Sequence, residues 1–148
     1  DRLYRLAYCY VKNEHDALDI VGEATYKALV SLHTLQRADR FDAWMTSLVI
    51  HTALDWLRKN RRLVPTEREV LDIIPAHEPD LTPEEQMDLY HLLDSLPTEE
   101  RTYLILHYFE ERSFPEMAEI LSMPEAKLKS RFYRILHRLR AHLKEESL

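Results

Sequence analysis

Residues 124 to 134 read PEAKLKSRFYR. Leu128 and Phe132, four apart, share one helix face, which leaves Lys127, Lys129, Ser130, Arg131, Tyr133 and Arg134 around the remaining arc. A helix lying in the DNA major groove needs this division: an apolar stripe holds it to its domain, and long cationic and hydrogen-bonding side chains meet phosphates and base edges. Arg138, Arg140 and Lys144 continue the series, so that Lys127 to Lys144 holds seven Lys/Arg and no acidic residue. By spacing alone the segment also suits a solvated basic helix or a coiled-coil edge. A second cationic cluster, Arg58, Lys59, Arg61 and Arg62, suits a helix C-terminus that satisfies its dipole. Two basic clusters on separate units point instead to two contacts on one polyanion, with affinity gained through effective concentration. Asp16, Asp19 and Glu23 recur at i, i+3 and i+7, either a solvated face or a docking face for a basic partner, since carboxylates offer bidentate sites to Arg.

Other chemistry finds little support. His15-Asp16 is an HD dipeptide, but no His pair stands at i, i+3 or i, i+4 to complete a metal site. A single glycine rules out a glycine-rich phosphate loop, and no GxSxG is present. Cys9, Trp44 and Trp56 lie at core positions of helical patterns and are read as packing. No catalytic residue, metal, cofactor or small-molecule substrate is therefore expected.

The elements that must carry these residues are helical. Leu3, Leu6, Ala7, Tyr10 and Val11 outline a first helix; Ala17, Ile20, Val21, Ala24, Ala28 and Leu32 a second after the N-cap Asn13. A third runs from about Phe41 to Leu57, with Phe41, Trp44, Met45, Leu48, Val49, Thr52 and Trp56 on one side. Pro65 ends this unit, and residues 64–83 hold four of the seven prolines, a linker with room for one short helix started by Thr66 and Glu69. Thr82-Pro83 with Glu85 caps a helix carrying Leu89, Leu92, Leu93 and Leu96; another spans about Thr98 to Glu110. Ser113 with Glu116 caps a short helix through Leu121, and after Ser122-Met123-Pro124 the long basic helix begins, with Leu128, Phe132, Ile135, Leu136, Leu139 and Leu143 at helical spacing. Short helix, tight turn and long basic helix outline a helix-turn-helix.

The 148 residues are 45% hydrophobic and 31% charged, a globular balance, with no apolar run near the roughly 18 residues of a membrane span. The net charge of −6 is unevenly placed: residues 1–63 carry ten Lys/Arg against eight Asp/Glu, 64–87 one against seven, and 88–148 nine against eleven. The acidic excess sits in the linker and hides local basic surfaces. One cysteine and no secretory-signal pattern at the start of the sequence fit a cytoplasmic setting.

LYRLAYCYVKNEHDALDIVGEATYKALVSL (3–32), RFDAWMTSLVIHTALDWLRKNRR (40–62) and LLDSLPTEERTYLILHYFEERSFPEMAEILSMPEAKLKSRFYRILHRLR (92–140) resemble, in order, the extracytoplasmic-function (ECF) sigma factors of the sigma-70 family of bacterial RNA polymerase. SFPEMAEILSMPEAKLKSRFYRILHRLR carries the most specific part of the likeness, to region 4. The resemblance implies an all-α chain of two small helical domains on an acidic, flexible linker: region 2 at 1–63, linker at 64–83, and region 4 at 84–148. It implies docking on core RNA polymerase through Asp16, Asp19 and Glu23. For the minus-10 promoter element it implies Arg37, Arg40, His51, Arg58, Lys59, Arg61 and Arg62, with a loop near Thr34 to Arg40 that receives an extruded base. For minus-35 it implies Lys127, Lys129, Ser130, Arg131, Tyr133, Arg134 and Arg138. Promoter DNA is the second partner and an anti-sigma factor a third. Gly22, Ile50, His51, Ser122, Ala126 and Lys127 depart from the family's usual residues, and at Ile50 and His51 the departure implies an altered minus-10 contact. A helix-turn-helix regulator acting without polymerase, and a protein-interaction module, are the alternatives.

Overall fold

A computed structural model describes residues 1–65 and 77–146, with side chains through Lys144; the short helix expected at Thr66 lies outside the described residues. These contain seven α-helices and no strand: α1 (Arg2–Val11), α2 (Glu14–Ser31), α3 (Phe41–Lys59), α4 (Pro83–Leu92), α5 (Thr98–Leu104), α6 (Phe114–Leu121) and α7 (Glu125–Glu146). Among the described residues no helix is long and apolar enough to cross a membrane.

In the first unit α1, α2 and α3 pack pairwise around Leu6, Tyr10, Ile20, Ala24, Val49, Ile50, Ala53 and Leu57. The expected stripe of α2 is buried at Ala17, Ile20, Ala24 and Ala28, but Leu32 falls past the helix end and is 49% exposed. Phe41 likewise stands in solvent at the start of α3, while Ile50 and Leu57 fill the core in its place. Asn13 caps α2 through Oδ1, which accepts the Asp16 N–H at 2.9 Å.

In the second unit both capping boxes form as read: Thr82 with Glu85 on α4, Ser113 with Glu116 on α6. The helix expected through Glu110 instead widens into a single π turn, Ile105–Phe109, after α5. Its core is aromatic. Phe132 has no exposed surface and lies 4.7 Å from the His107 ring, 5.2 Å from Phe114 and 5.8 Å from Tyr133.

With one glycine available, left-handed helix ends fall to other residues: Lys12, Arg61, Glu111 and Ser122 all take positive φ. At Ser122 the Met123 N–H donates to Ala118 O and the Ser122 N–H to Glu119 O, a Schellman ending that makes the helix-turn-helix turn without glycine. Arg61 ends α3 the same way, with Arg62 N–H on Leu57 O.

The two units are not held apart. Thr98 and Val64 exchange hydrogen bonds at 3.0 Å, so the chain leaving α3 is pinned to the start of α5. Arg140 draws residues 78–85 onto α7, donating to Glu78 at 2.8 Å, to Asp80 O at 2.9 Å and to Glu85 at 3.2 Å.

Candidate nucleic-acid interface

Position along α7 decides what each basic side chain can do. Leu128, Phe132, Ile135, Leu136 and Leu139 are buried, and the stripe read from the sequence faces the core. Lys127, Lys129 and Ser130 are exposed on the first turns, the end that a recognition helix offers to bases. Lys129 bonds Glu125 at 3.2 Å and lies over the Phe114 ring.

Arg131, Tyr133 and Arg134 are half-buried at the edge of this face. Arg131 donates to the Tyr103 hydroxyl at 3.4 Å, and Tyr133 packs on Phe114, Phe132 and His77. Farther along, Arg138 pairs with Glu100 of α5, whose side chain is 12% exposed, and Arg140 is bound to Glu78 and Glu85. The basic run thus divides: Lys127 and Lys129 face outward, and Arg138 and Arg140 tie α7 to α4, α5 and the chain before them.

The residues expected at minus-10 form no single cluster. Arg37 makes a bidentate pair with Asp39 at 2.7 and 3.1 Å in the loop before α3, and Arg40 pairs with Glu119 of α6. His51 is exposed on α3 and its Nδ1 meets Ser47 O at 2.8 Å. Ile50 beside it is buried, so that departure from the family's usual residue is a packing matter and only His51 stands at the surface. At the C-terminal end of α3, Arg58 bonds Asp55 at 2.8 Å, and Lys59 and Arg61 are exposed. Arg62 turns back, lying over the Trp56 ring, 3.3 Å from Val11 O and 3.7 Å from Asp16.

The acidic row on α2 also divides. The Asp16 side chain is 24% exposed, held between Arg62 and His15, whereas that of Asp19 is 60% exposed and that of Glu23 43%. Between and beside the last two runs an apolar strip that the sequence reading missed: Leu18 at 55%, Tyr26 at 68% and Leu29 at 71% exposed. Its signal was present, since α2 carries apolar residues outside the buried register, and a helix apolar on two sides has two partners. Gly22 lies on the strip, and a Cβ there would meet nothing within 4 Å. His15, Asp16 and Asp19 bring three potential ligand atoms within 4.8 Å of one another, but they are surface groups on one turn that pair with each other and with Arg62.

An all-helical chain whose one unit offers a basic recognition helix and whose other offers an acidic and apolar helix face is a bipartite DNA-binding transcription factor. Residues 1–63 match the family model of Sigma-70 region 2, and residues 86–139 that of Sigma-70, region 4. The chain belongs to the sigma-70 family, as an RNA polymerase sigma factor of the ECF type, a non-enzymatic transcription initiation factor. It is 37% identical to RNA polymerase sigma factor SigV of Bacillus subtilis over 98% of this chain and 86% of the relative. To ECF RNA polymerase sigma factor SigE of Mycolicibacterium smegmatis it is 32% identical over 99% of this chain and 59% of that longer protein. In fold it is similar to the sigma factor RpoE of Bartonella quintana, solved with the anti-sigma factor NepR, at a TM-score of 0.65 and 22% identity over 96% of this chain and 89% of that one.

Proposed function

We propose that this sigma factor divides its work as 1–63 for core RNA polymerase and the minus-10 element, 64–83 as tether, and 84–148 for minus-35. The observation that carries the proposal is the opposite chemistry of two exposed helix faces: Asp19 and Glu23 beside Leu18, Tyr26 and Leu29 on α2, and Lys127, Lys129 and Ser130 on α7. The α2 face suits an amphipathic, basic helix of the polymerase, with apolar burial supplying affinity and the carboxylates setting orientation. Asp16 contributes from the side, through its hold on Arg62.

Lys127, Lys129 and Ser130 enter the major groove first, Arg131, Tyr133 and Arg134 flank them, and Arg138 meets phosphate from its place beside Glu100. Arg37, Arg40, His51, Arg58, Lys59, Arg61 and Arg62 guide the melted minus-10 strand, whose flipped base costs a few kcal/mol to unstack and needs nearby cations. The setting is cytoplasmic, and an anti-sigma factor is the regulatory partner.

Size-exclusion chromatography with core polymerase, followed by run-off transcription from genomic fragments, tests this reading. Co-elution and new protein-dependent start sites are expected, and Asp19→Lys with Glu23→Lys abolishes both. Tight duplex binding without polymerase association would establish an independent regulator instead, and neither activity would leave an interaction module.

A further inference from the structure

The chain just before α4 runs along α7 rather than away from it. His77 lies with its ring 5.1 Å from that of Tyr133. Glu78 accepts from Arg140 at 2.8 Å and meets His137 Nδ1 at 3.2 Å, and Asp80 O accepts from Arg140 at 2.9 Å. Partners thus advance along both elements together, residues 77 to 80 following Tyr133 to Arg140. Three steps of extended chain at about 3.3 Å cover roughly 10 Å, which matches the rise of seven helical residues at about 1.5 Å each. Pro79 disfavours helical backbone at Glu78 and so keeps this stretch extended. The far end is anchored: Leu81 is 4% exposed, its N–H donates to the Tyr108 hydroxyl at 3.2 Å, and its carbonyl accepts from Gln86 Nε2 at 3.1 Å.

We propose that His77 is a DNA-contacting residue of the minus-35 unit, its imidazole donating a hydrogen bond to a phosphate at the wall of the groove that α7 enters, and that Glu78 is the positioning residue that holds it there. The inference rests on the minus-35 reading of α7 and deepens it with a contact from a segment that composition marks as tether. A helix with its side chains is about 10–12 Å across and the major groove about 12 Å wide, so a chain on the flank of the helix stands at a phosphate wall and not over a base. His77 is exposed and flanks Tyr133, which lies one turn beyond Lys129 on the same side of α7. An imidazole offers an N–H in either tautomer, so the donor is present whether or not the ring is protonated. Contacts to phosphate fix register and carry no sequence preference of their own.

The role of Glu78 has a characteristic sign. A carboxylate near DNA repels it, and by charge alone its removal tightens binding. The Glu78 side chain is 13% exposed and bound to Arg140, itself 14% exposed, so it acts by holding the segment on α7. Its loss therefore weakens binding through His77, against the direction that charge dictates.

The test uses polymerase holoenzyme assembled with the full chain and a promoter duplex recovered by run-off transcription, with one phosphate at a time around the minus-35 element replaced by a neutral methylphosphonate. His77→Ala and His77→Phe each weaken promoter binding about fivefold, the worth of one net hydrogen bond, although Phe keeps a ring on Tyr133. The loss is the same on duplexes with altered minus-35 bases, and His77→Arg retains binding. One methylphosphonate position costs the parent a similar factor and costs His77→Ala nothing. Glu78→Ala weakens binding in the parent and not in the His77→Ala background.

Parent-like binding by His77→Ala overturns the proposal, as does parent-like binding by His77→Phe, which would leave the ring a prop for Tyr133. A loss in His77→Ala that no methylphosphonate position shares overturns it too. Tighter binding by Glu78→Ala in the parent overturns the positioning role. His77 is exposed, so its variants keep the fold, which unfolding curves check. Holoenzyme that binds the promoter yet ignores every change of minus-35 base and phosphate defeats the minus-35 reading and this inference with it; sensitivity to those changes with no effect of His77 defeats this inference alone.

Discussion

Replacing Phe132 with Ala tests whether the helix-turn-helix holds its basic face by aromatic packing. The ring has no exposed surface and is surrounded by His107, Phe114, Tyr108 and Tyr133. Truncating a buried Phe costs about 3–5 kcal/mol through lost transfer energy and the cavity left behind. The upper half of that range applies here, because each edge-on aromatic neighbour adds about 0.5–1.5 kcal/mol beyond area burial. Against a total stability of about 5–15 kcal/mol, that is a large share of what holds the unit together. For a chain of this size about 4 kcal/mol corresponds to a fall in Tm of roughly 8–16 °C. Urea unfolding of Phe132→Ala and, as control, of Tyr133→Ala reads the difference, with minus-35 duplex binding measured below the transition. A smaller loss for Tyr133→Ala is expected, since that ring is only half-buried. The packing argument fails if Phe132→Ala costs less than about 1 kcal/mol. It fails also if duplex binding disappears while the unfolding curve stays in place, because the ring would then be touching DNA.

Three further outcomes follow from the same geometry. Ser113→Ala removes the cap that accepts the Glu116 N–H at 3.3 Å, and should lower stability by about 1 kcal/mol in thermal unfolding; no change would mean that the box is decorative. Lys127→Ala should reduce the slope of log K against log salt by about 0.9 without shifting Tm, the increment for a single phosphate left without its cation, and an unaltered slope would remove Lys127 from the DNA face. The hydrogen bond from Arg112 holds the Asp42 carboxyl below the usual carboxylate range, so its stabilisation is present above that range and lost as pH falls through the lowered value. The stability difference between the parent and Asp42→Asn should therefore shrink between about pH 5 and pH 2. A constant difference would refute the pairing. Glu110, pushed up by burial, has the opposite sign, which is why the comparison uses the Asp42 variant and not the parent curve alone.

How legible a feature was depended on the distance over which its cause acts. Capping boxes are three residues long, and Thr82 with Glu85 and Ser113 with Glu116 were readable outright. The stripe Leu128, Phe132, Ile135, Leu136 and Leu139 repeats at helical period, and it is buried as read. Charge type was readable, but charge destination was not: Arg138 and Arg140 belong to the same basic run as Lys127, and only the approach of Glu100, Glu78 and Glu85 turns them inward. Ile50 illustrates the same limit. As a departure from the family's usual residue it suggested an altered promoter contact, yet the third helix rotates it into the core and leaves His51 outside.

The association of the two units was the least readable feature, for a physical reason. It is made by pairs 70 to 108 residues apart, Arg112 with Asp42 and Arg2 with Glu110, and by Arg101 on a helix-end carbonyl. None of these has a periodic signature, and composition marks the chain between the units only as acidic and proline-rich, the description of a tether. A polar seam between domains is written as isolated charges, each of which reads alone as surface. Asp42 in sequence is one more acidic residue near a helix start; in space it is the point where Arg2 and Arg112 meet from opposite units.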